Sequence, residues 1–324
     1  MYSIVYTLID NCKLNYFNEM MISIKSLKYR MPEKKILIVT DDSTKHYIER
    51  NIMYYEDVIK QAEFIVVNIP AQYTQKEKSR FLKTSLRKYV EGDFLFIDTD
   101  TIICEKFPEN ISQADIAMVL DGNVTLSEHL DRRGAYSINK WCGIKLGRIE
   151  NYYNSGVIWV KDTEVAQKLF ELWHEQWKES VKTGFAFDQP SLNKIIIDHR
   201  FDVEILDGTW NCQVSGNPFP LKYLVNAKII HYYNAPDSSY LMCNPKIKNK
   251  GYNSSKVNDI IVNPKVMFGK TAIFSLDGYV DLFDSKAFKL IIYFYKEHSK
   301  LFCFNEKILK CLILILKRFK RKKI

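Results

Sequence analysis

Residues 94–103 read FLFIDTDTII, and this stretch joins a fully apolar run to two acidic residues. An apolar run without polar alternation is typical of a strand that is covered on both faces of its sheet. Asp98 and Asp100 follow at the point where such a strand leaves the core. The stretch therefore predicts a buried strand at 94–98 that ends in a pair of carboxylates.

Similar apolar runs alternate along the chain with stretches whose apolar residues recur every three or four positions, as in an amphipathic helix. This alternation predicts an α/β fold with a mostly parallel sheet flanked by helices. The runs predict strands at 2–9, 36–40, 63–69, 94–98, 116–120, 156–160 and 228–233, and the periodic stretches predict helices at 14–29, 77–90, 163–180 and 189–197.

Ligands of open α/β sheets lie beyond the carboxyl ends of the strands. Four predicted strands are followed there by an acidic residue: Asp10, Asp41, Asp98 and Asp121. The acidic pair is therefore expected at the ligand-facing edge, while the order of the strands stays open.

The composition is that of an ordinary globular protein, with 47% apolar and 26% charged residues in 324. A chain of this length can form one large domain with an appendage. The seven cysteines form no CxxC pair, which argues against a zinc knuckle or a dithiol site. Scattered cysteines and an N-terminus unlike a signal peptide predict a cytoplasmic protein.

The positive charge is concentrated in the C-terminal tail. Residues 307–324 hold eight Lys and Arg and no acid, so that a net charge of +9 leaves 9 − 8 = +1 for residues 1–306. Six apolar residues at 311–316 are too few to cross a bilayer but can lie in its interface, next to anionic headgroups. The alternatives are nucleic-acid binding, disfavoured by the nearly neutral body, and a solvated tail.

The spacing of Asp98 and Asp100 is informative because residues i and i+2 of an extended segment point the same way. Two like charges so close either share a proton or hold a cation, and carboxylate oxygens suit Mg²⁺ or Mn²⁺. The pair can also be a turn with one capping and one solvated carboxylate. A phosphatase that uses the first Asp as nucleophile is disfavoured by Ile102 and by the position near residue 100.

Five segments in sequence order resemble motifs of the nucleotide-sugar transferases of the GT-A fold, most closely those of the retaining glycosyltransferase family 8. The similarity covers roughly residues 1–235. The segments are KSRFLKTSLRKYVEGDFLFIDTDTII (78–103), YYNSGVIWV (152–160), FDQPSLNKII (187–196), TWNCQ (209–213) and KIIHYYN (228–234).

The resemblance implies a mixed, mostly parallel, Rossmann-like sheet and a site that holds Mn²⁺ or Mg²⁺ through Asp98, Asp100 and His231. The alternative for His231 is a core histidine bonded to a backbone carbonyl. The residues implied for donor binding are Thr7 and Asp10 at the uracil and ribose, Arg80 and Lys83 at the nucleotide or the sugar, and Asp98, Thr99 and Asp100.

Three residues are implied around the transferred sugar: Asn154, Asp188 and Gln189. Asp188 can instead be the N-cap of a helix that has Pro190 in its first turn. Trp210 and Asn211 are expected to border the acceptor, although Trp210 can equally belong to the core.

The resemblance has one departure. In the family a glycine and a Lys-Pro-Trp element follow the late histidine, whereas HYYNAPDSSYLMCNPK (231–246) contains neither, and its nearest lysine is Lys246. The sequence therefore does not identify the cationic side chain that contacts the diphosphate.

The implied function is transfer of a hexose from a UDP-sugar to a saccharide, including a lipid-linked saccharide, with retention of configuration. The alternatives are a nucleotide-sugar-binding protein without catalysis and a DxD phosphatase. The expected organisation is a transferase domain at 1–250 and a helical basic extension at 251–324. Its tail at 307–324 is expected to hold the enzyme at the inner face of a membrane.

Overall fold

The computed structural model describes residues 2–9, 15–50, 60–126, 129, 150–214, 221–232, 255–265 and 298–321. The chain divides into two compact units, Met1–Ala272 and Ile273–Ile324. The helix Ser255–Val262 packs on the N-terminal helix inside the first unit. A functional division at residue 250 stays a prediction.

The strands and helices follow the order that the sequence predicts, with several short additions. The strands are β1 (Ser3–Leu8), β2 (Ile36–Thr40), β3 (Glu63–Val66), β4 (Phe94–Ile97), β5 (Thr101–Ile103), β6 (Ile116–Leu120), β7 (Tyr153–Val160), β8 (Glu204–Ile205), β9 (Cys212–Gln213) and β10 (Ile229–His231). The helices are α1 (Asn15–Arg30), α2 (Asp42–Arg50), α3 (Gln75–Thr84), α4 (Glu164–Lys182), α5 (Asp188–His199), α6 (Leu221–Leu224), α7 (Ser255–Val262) and α8 (Ser299–Arg321), with 3-10 turns at Leu86–Lys88, Asp121–Asn123 and Gly208–Asn211.

The main sheet has seven strands in the order β3-β2-β1-β4-β7-β6-β8. Strands β1 to β4 run parallel, whereas β7 is antiparallel to both β4 and β6. A small second sheet has the order β5-β10-β9, and its register sets His231 opposite Thr101. This register brings His231 next to the acidic pair, although 131 residues separate it from Asp100 in the chain.

Strand β4 lies between two apolar clusters on opposite faces of the main sheet. Leu95 and Ile97 belong to one cluster, and Phe94 and Phe96 belong to the other. All four side chains are fully buried. The prediction of a doubly covered strand at FLFI is therefore confirmed, and so is the mixed, mostly parallel α/β fold.

Two local predictions are wrong. Asp98 and Asp100 do not lie on an extended segment, because the backbone bends at residues 99–100 between β4 and β5. The predicted helix 77–90 ends as an α-helix at Thr84 and continues as the 3-10 turn Leu86–Lys88. The hydroxyl of Ser85 donates to the carbonyl of Phe81 at 2.6 Å and competes there with the backbone of the next turn.

Candidate active site

The bend that carries Asp98 and Asp100 is held by its neighbours at both ends. The amide of Asp98 donates to the carbonyl of Gly156 in β7 at 2.8 Å, and the amide of Tyr232 donates to the carbonyl of Asp100 at 3.1 Å. The two carboxylates are thus fixed relative to β7 and β10.

A chain of hydrogen bonds between hydroxyl groups, each with a defined donor and acceptor, also holds this bend. Thr101 donates to the carbonyl of Asp98 at 2.9 Å, so its oxygen accepts from Ser23 at 2.8 Å. The hydroxyl of Ser23 accepts in turn from Tyr6 at 2.9 Å. Burial raises the pKa of Tyr6, so this phenol stays a donor. Strand β1 and helix α1 therefore support the bend from inside the core.

Asp98, Asp100 and His231 meet at this bend, and one ligand atom from each lies within 4.8 Å of the others. His231 Nε2 lies 3.1 Å from Asp100 Oδ1, and Nδ1 lies 3.0 Å from Asn211 Oδ1. These side-chain contacts differ from those of a core histidine bonded to a backbone carbonyl. Two carboxylates and an imidazole form a donor set that suits Mn²⁺ or Mg²⁺.

The space at this site depends on the missing side chain of Gly156. A Cβ at that position would lie 2.3 Å from His231 Cε1 and 2.9 Å from Asp98 Oδ2. The imidazole and the carboxylate therefore approach each other over bare backbone. Together with the donor set, this space makes the three residues fit a divalent ion.

The electrostatics of the two carboxylates differ. Burial raises the pKa of Asp98, although the Lys83 ammonium opposes this shift. Burial acts the same way on Asp100, but the charge and hydrogen bond of His231 outweigh it and lower the pKa of Asp100. About a quarter of each side chain remains exposed, 27% for Asp98 and 25% for Asp100. A ligand can therefore reach both.

Helix α3 supplies the cations of the site. The hydroxyl of Thr74 accepts from the amide of Glu77, and the Glu77 carboxylate accepts from the amide of Thr74, which fixes the start of the helix. Arg80 Nε lies 2.8 Å from Asp188 Oδ1 as an ion pair without an aligned hydrogen bond. Lys83 Nζ lies 3.0 Å from both oxygens of Asp98 and 3.3 Å from Asp188 Oδ2.

Asp188 occupies the first residue of α5 but does not cap it. The N-cap position belongs to Phe187, so the N-cap alternative for Asp188 is wrong. The Asp188 carboxylate accepts instead from the Ser155 hydroxyl at 2.8 Å. Burial alone would raise its pKa, but Lys83, Arg80 and this hydrogen bond hold the pKa well below its ordinary value. The side-chain oxygen of Gln189 accepts from the Ser155 amide at 3.1 Å.

The residues around Asn154 form a buried polar group. Its Nδ2 donates to Asp121 Oδ1 at 2.8 Å, and its Oδ1 accepts from Asn211 Nδ2 at 2.9 Å. Asn211 is completely buried. Trp210 is also buried and packs on Phe107 with ring centroids 5.3 Å apart, so its core alternative is confirmed.

A cleft of about 370 Å³ opens over the bend. The predicted residues that line it are Thr7, Arg80, Asp98, Thr99 and Asp100, and those that the sequence did not indicate are Leu8, Ile9, Tyr16, Gln75, Lys76 and Ser79. Lys76 precedes Arg80 by about one helical turn, and this spacing is the signal that could have found it. Ser79 directly precedes Arg80 in the chain. Lys83 is buried beside Asp98. Asp10 lies outside the described residues.

The nucleotide-diphospho-sugar transferase family matches residues 34–232, more than half of the 324 residues. The chain therefore belongs to the nucleotide-diphospho-sugar transferase family. The predicted resemblance to GT-A nucleotide-sugar glycosyltransferases is confirmed, and the protein is a glycosyltransferase. No curated protein matches the chain by sequence.

Solved structures with this fold include the galactosyltransferase LgtC in complex with donor and acceptor sugar analogues. It has a TM-score of 0.50 at 13% identity and covers 80% of this chain and 95% of that chain. An active-site mutant of LgtC also has a TM-score of 0.50, at 14% identity, and covers 71% and 87% of the two chains. Mouse xyloside xylosyltransferase 1 covers 72% and 97% at 13% identity and a TM-score of 0.48. The LgtC structures confirm the fold.

Proposed function

We propose that the protein transfers a hexose from a UDP-sugar to a saccharide hydroxyl with retention of configuration, using Mn²⁺ or Mg²⁺. The observation that carries this proposal is the convergence of Asp98, Asp100 and His231 within 4.8 Å beside a cleft of about 370 Å³. This volume is within the range of small-molecule sites. A bound divalent ion would supply positive charge that stabilises the departing diphosphate.

The cleft walls suit the donor nucleotide. Thr7 and Thr99 offer hydroxyl groups for hydrogen bonds to the ribose and the base. Arg80 and Lys76, one helical turn apart on α3, offer positive charge to the diphosphate. In this proposal α3 supplies the cations in place of the absent Lys-Pro-Trp element.

The sugar is proposed to lie toward Asp188, Gln189 and Asn154. Since Arg80 and Lys83 keep Asp188 ionised, its carboxylate can stabilise positive charge that develops at the anomeric carbon. Gln189 is partly exposed beside it and can orient a sugar hydroxyl. The acceptor hydroxyl passes its proton to the leaving diphosphate oxygen as the new glycosidic bond forms.

A turnover assay tests the proposal. Full-length protein with Mn²⁺, a set of UDP-hexoses and saccharide acceptors should release UDP, and Asp100→Ala and Asp100→Asn should abolish this release. Asp198→Asn is the matched control, because Asp198 pairs with Lys194 on the exposed side of α5. Turnover that survives at Asp100→Asn would contradict the metal role.

Two further measurements, UDP affinity and hydrolysis of small phosphate esters, separate the alternatives. A binding protein without catalysis would retain affinity for UDP and release none from UDP-hexoses. A phosphatase would hydrolyse small phosphate esters. One LgtC structure contains donor and acceptor sugar analogues, which supports testing saccharide acceptors first.

We also propose that helix α8 holds the protein at an anionic membrane surface, with lipid-linked saccharides as acceptors and the cytoplasmic face as its location. Apolar side chains recur along α8 at helical spacing and are about half exposed, namely Leu301 (52%), Phe304 (59%), Ile308 (44%), Leu312 (48%) and Ile315 (48%). Lys300, Lys307 and Lys310 are exposed on the same helix. Within the described residues, no helix has both the length and the apolar character needed to cross a membrane.

A further inference from the structure

A row of buried side chains connects Asp121 with the acidic pair. Asn154 and Asn211 form an amide pair in its middle, and the side chain of Asn154 donates to Asp121. Asn211 Oδ1 lies 3.0 Å from His231 Nδ1, and His231 Nε2 lies 3.1 Å from Asp100 Oδ1. Asn154, Asn211 and His231 are 4%, 0% and 2% exposed. Bulk water therefore has little access to these contacts.

The direction of every hydrogen bond in this row is determined by one backbone group. The amide of Gly156 can only donate, and it lies 2.9 Å from the side chain of Asn154, so the atom it faces is the oxygen. Asn211 meets that oxygen at 2.9 Å and must therefore present its NH₂ group there. Its remaining atom, which faces the imidazole, is the oxygen. Asp121 agrees with this assignment, since a carboxylate accepts from Asn154.

We infer that the amide pair holds a proton on His231 Nδ1 and so presents the Nε2 lone pair to the space beside Asp100. An amide oxygen only accepts, so the Nδ1 that faces Asn211 must donate. Nε2 and Asp100 Oδ1 are then two acceptors 3.1 Å apart, and such a pair requires a proton or a metal ion between them. Asn211 is thereby a positioning residue for the metal ligand, an inference that rests on the proposed function.

The ring nitrogens of His231 test this inference by NMR. In full-length protein labelled with ¹⁵N-histidine, the signals of His231 are those lost in His231→Gln. With Mg²⁺ bound, we expect a proton on Nδ1 and none on Nε2. The opposite tautomer would overturn the inference even if UDP release depends on the metal.

The NMR measurement of the tautomer does not require the proposed function to hold. If the protein binds no Mg²⁺, the same information comes from the tautomer of the neutral His231 ring in the metal-free protein. A proton on Nδ1 would support the inference, and a proton on Nε2 would overturn it. Failure of metal binding and failure of the tautomer assignment are therefore separate results.

Two variants at one position separate positioning from packing. Asn211→Asp keeps an oxygen that accepts from Nδ1 but loses the NH₂ group that donates to Asn154. Asn211→Leu has a side chain of similar size but loses both the accepting oxygen and the donating NH₂ group. We expect Mn²⁺ affinity, measured by electron paramagnetic resonance of the free ion, to fall about 10–100-fold in Asn211→Leu and to stay near the native value in Asn211→Asp. Equal losses, or no loss in either, would overturn the inference.

Thermal melting shows which variants are folded. If Asn211→Leu does not fold, Asn154→Leu replaces it, because it leaves the Asn211 amide free to turn. The expected result is again weaker Mn²⁺ binding. In addition, both neutral tautomers of His231 should be populated, one with the proton on Nδ1 and one with the proton on Nε2. A single Nδ1-protonated tautomer in folded Asn154→Leu would contradict the role of the amide pair.

Discussion

Gly156 is the residue whose side chain, if present, would obstruct the site most directly. A methyl group there would lie 2.3 Å from His231 Cε1, closer than any stable contact. We expect Gly156→Ala to push the imidazole away from the acidic pair and to weaken Mn²⁺ binding at least about 10-fold, since displaced ligand geometry costs metal affinity. Titration with Mn²⁺ measures this loss.

The matched control for Gly156→Ala is Gly92→Ala. Gly92 has φ +71°, and a Cβ there meets no atom within 4 Å, so the change strains the backbone far from the site. We expect this variant to lose about 1 kcal/mol of stability with native Mn²⁺ affinity. Equal Mn²⁺ affinity in the two variants would show that the close approach at Gly156 is unimportant.

Lys83 is a buried cation, 4% exposed, between two carboxylates. Lys83→Met leaves Asp98 and Asp188 without this charge, and removal of one partner from a buried ion pair typically costs about 3–5 kcal/mol. We expect a loss of this size in the free energy of urea unfolding. Mn²⁺ should restore part of it, because an ion that binds the folded state stabilises that state.

Lys88→Met is the control for Lys83→Met. Lys88 lies on the neighbouring 3-10 turn and is exposed, so its replacement should change stability by less than about 0.5 kcal/mol. Losses of equal size at both positions would contradict the proposed charge balance. If Mn²⁺ does not change the stability of Lys83→Met, the ion pairs of Lys83 and the proposed metal site are energetically independent.

Helices α3 and α4 are joined by a contact that should depend on pH. His174 of α4 lies 2.8 Å from the hydroxyl of Thr84 and packs on Phe81 with ring centroids 4.8 Å apart. Burial, and secondarily Lys178, lowers the pKa of His174 from 6.5 to about 4. The folded state therefore favours the neutral imidazole, while the unfolded chain takes up a proton below pH about 6.5.

This difference means that the unfolded state binds more protons between pH about 6.5 and about 4, so stability contributed at neutral pH is lost as the pH falls through this range. We expect the native chain to lose about 1–3 kcal/mol more than His174→Gln between pH 7.5 and pH 4.5 in urea unfolding. Parallel pH profiles for the two proteins would contradict this assignment.

The elements were predictable where short-range pattern decides the structure. FLFI reads as a doubly covered strand because its four side chains alternate between two apolar clusters. The bend at Asp98–Asp100 was not predictable, since it is imposed by distant backbone partners at Gly156 and Tyr232.

The candidate site shows the same limit. The acidic pair was found from the apolar run that precedes it. His231 lies 131 residues from Asp100 and was found only through motif resemblance. The contact of Lys83 with Asp98 and Asp188 needed the packing of α3 against the sheet. Asn211 gave no signal for its contact with His231, because hydrogen-bond direction appears only when both partners are placed.

At the scale of the whole chain, most of the net positive charge lies in a different segment of the sequence from the residues of the candidate site. Residues 1–306 carry a net charge of +1, and eight of the positive charges lie at 307–324. A nearly neutral body gives little long-range attraction to an anionic surface, whereas a cluster of cations contributes about 1 kcal/mol for each Lys or Arg near that surface. Attraction of the protein to anionic lipid should therefore depend on the tail.

We expect truncation after residue 306 to release the protein from anionic vesicles, because it removes the eight cations and the apolar residues Leu312 and Ile315. Co-sedimentation with vesicles that contain phosphatidylserine measures this, and vesicles of phosphatidylcholine alone control for adhesion without charge. Full-length Leu312→Gln keeps the net charge of the tail but breaks the apolar face, so its weaker binding would show that insertion contributes beyond attraction. UDP release by the truncated protein with a soluble acceptor should remain native. Unchanged sedimentation after truncation would show that the tail does not bind the membrane. The transferase proposal would not be affected by that result.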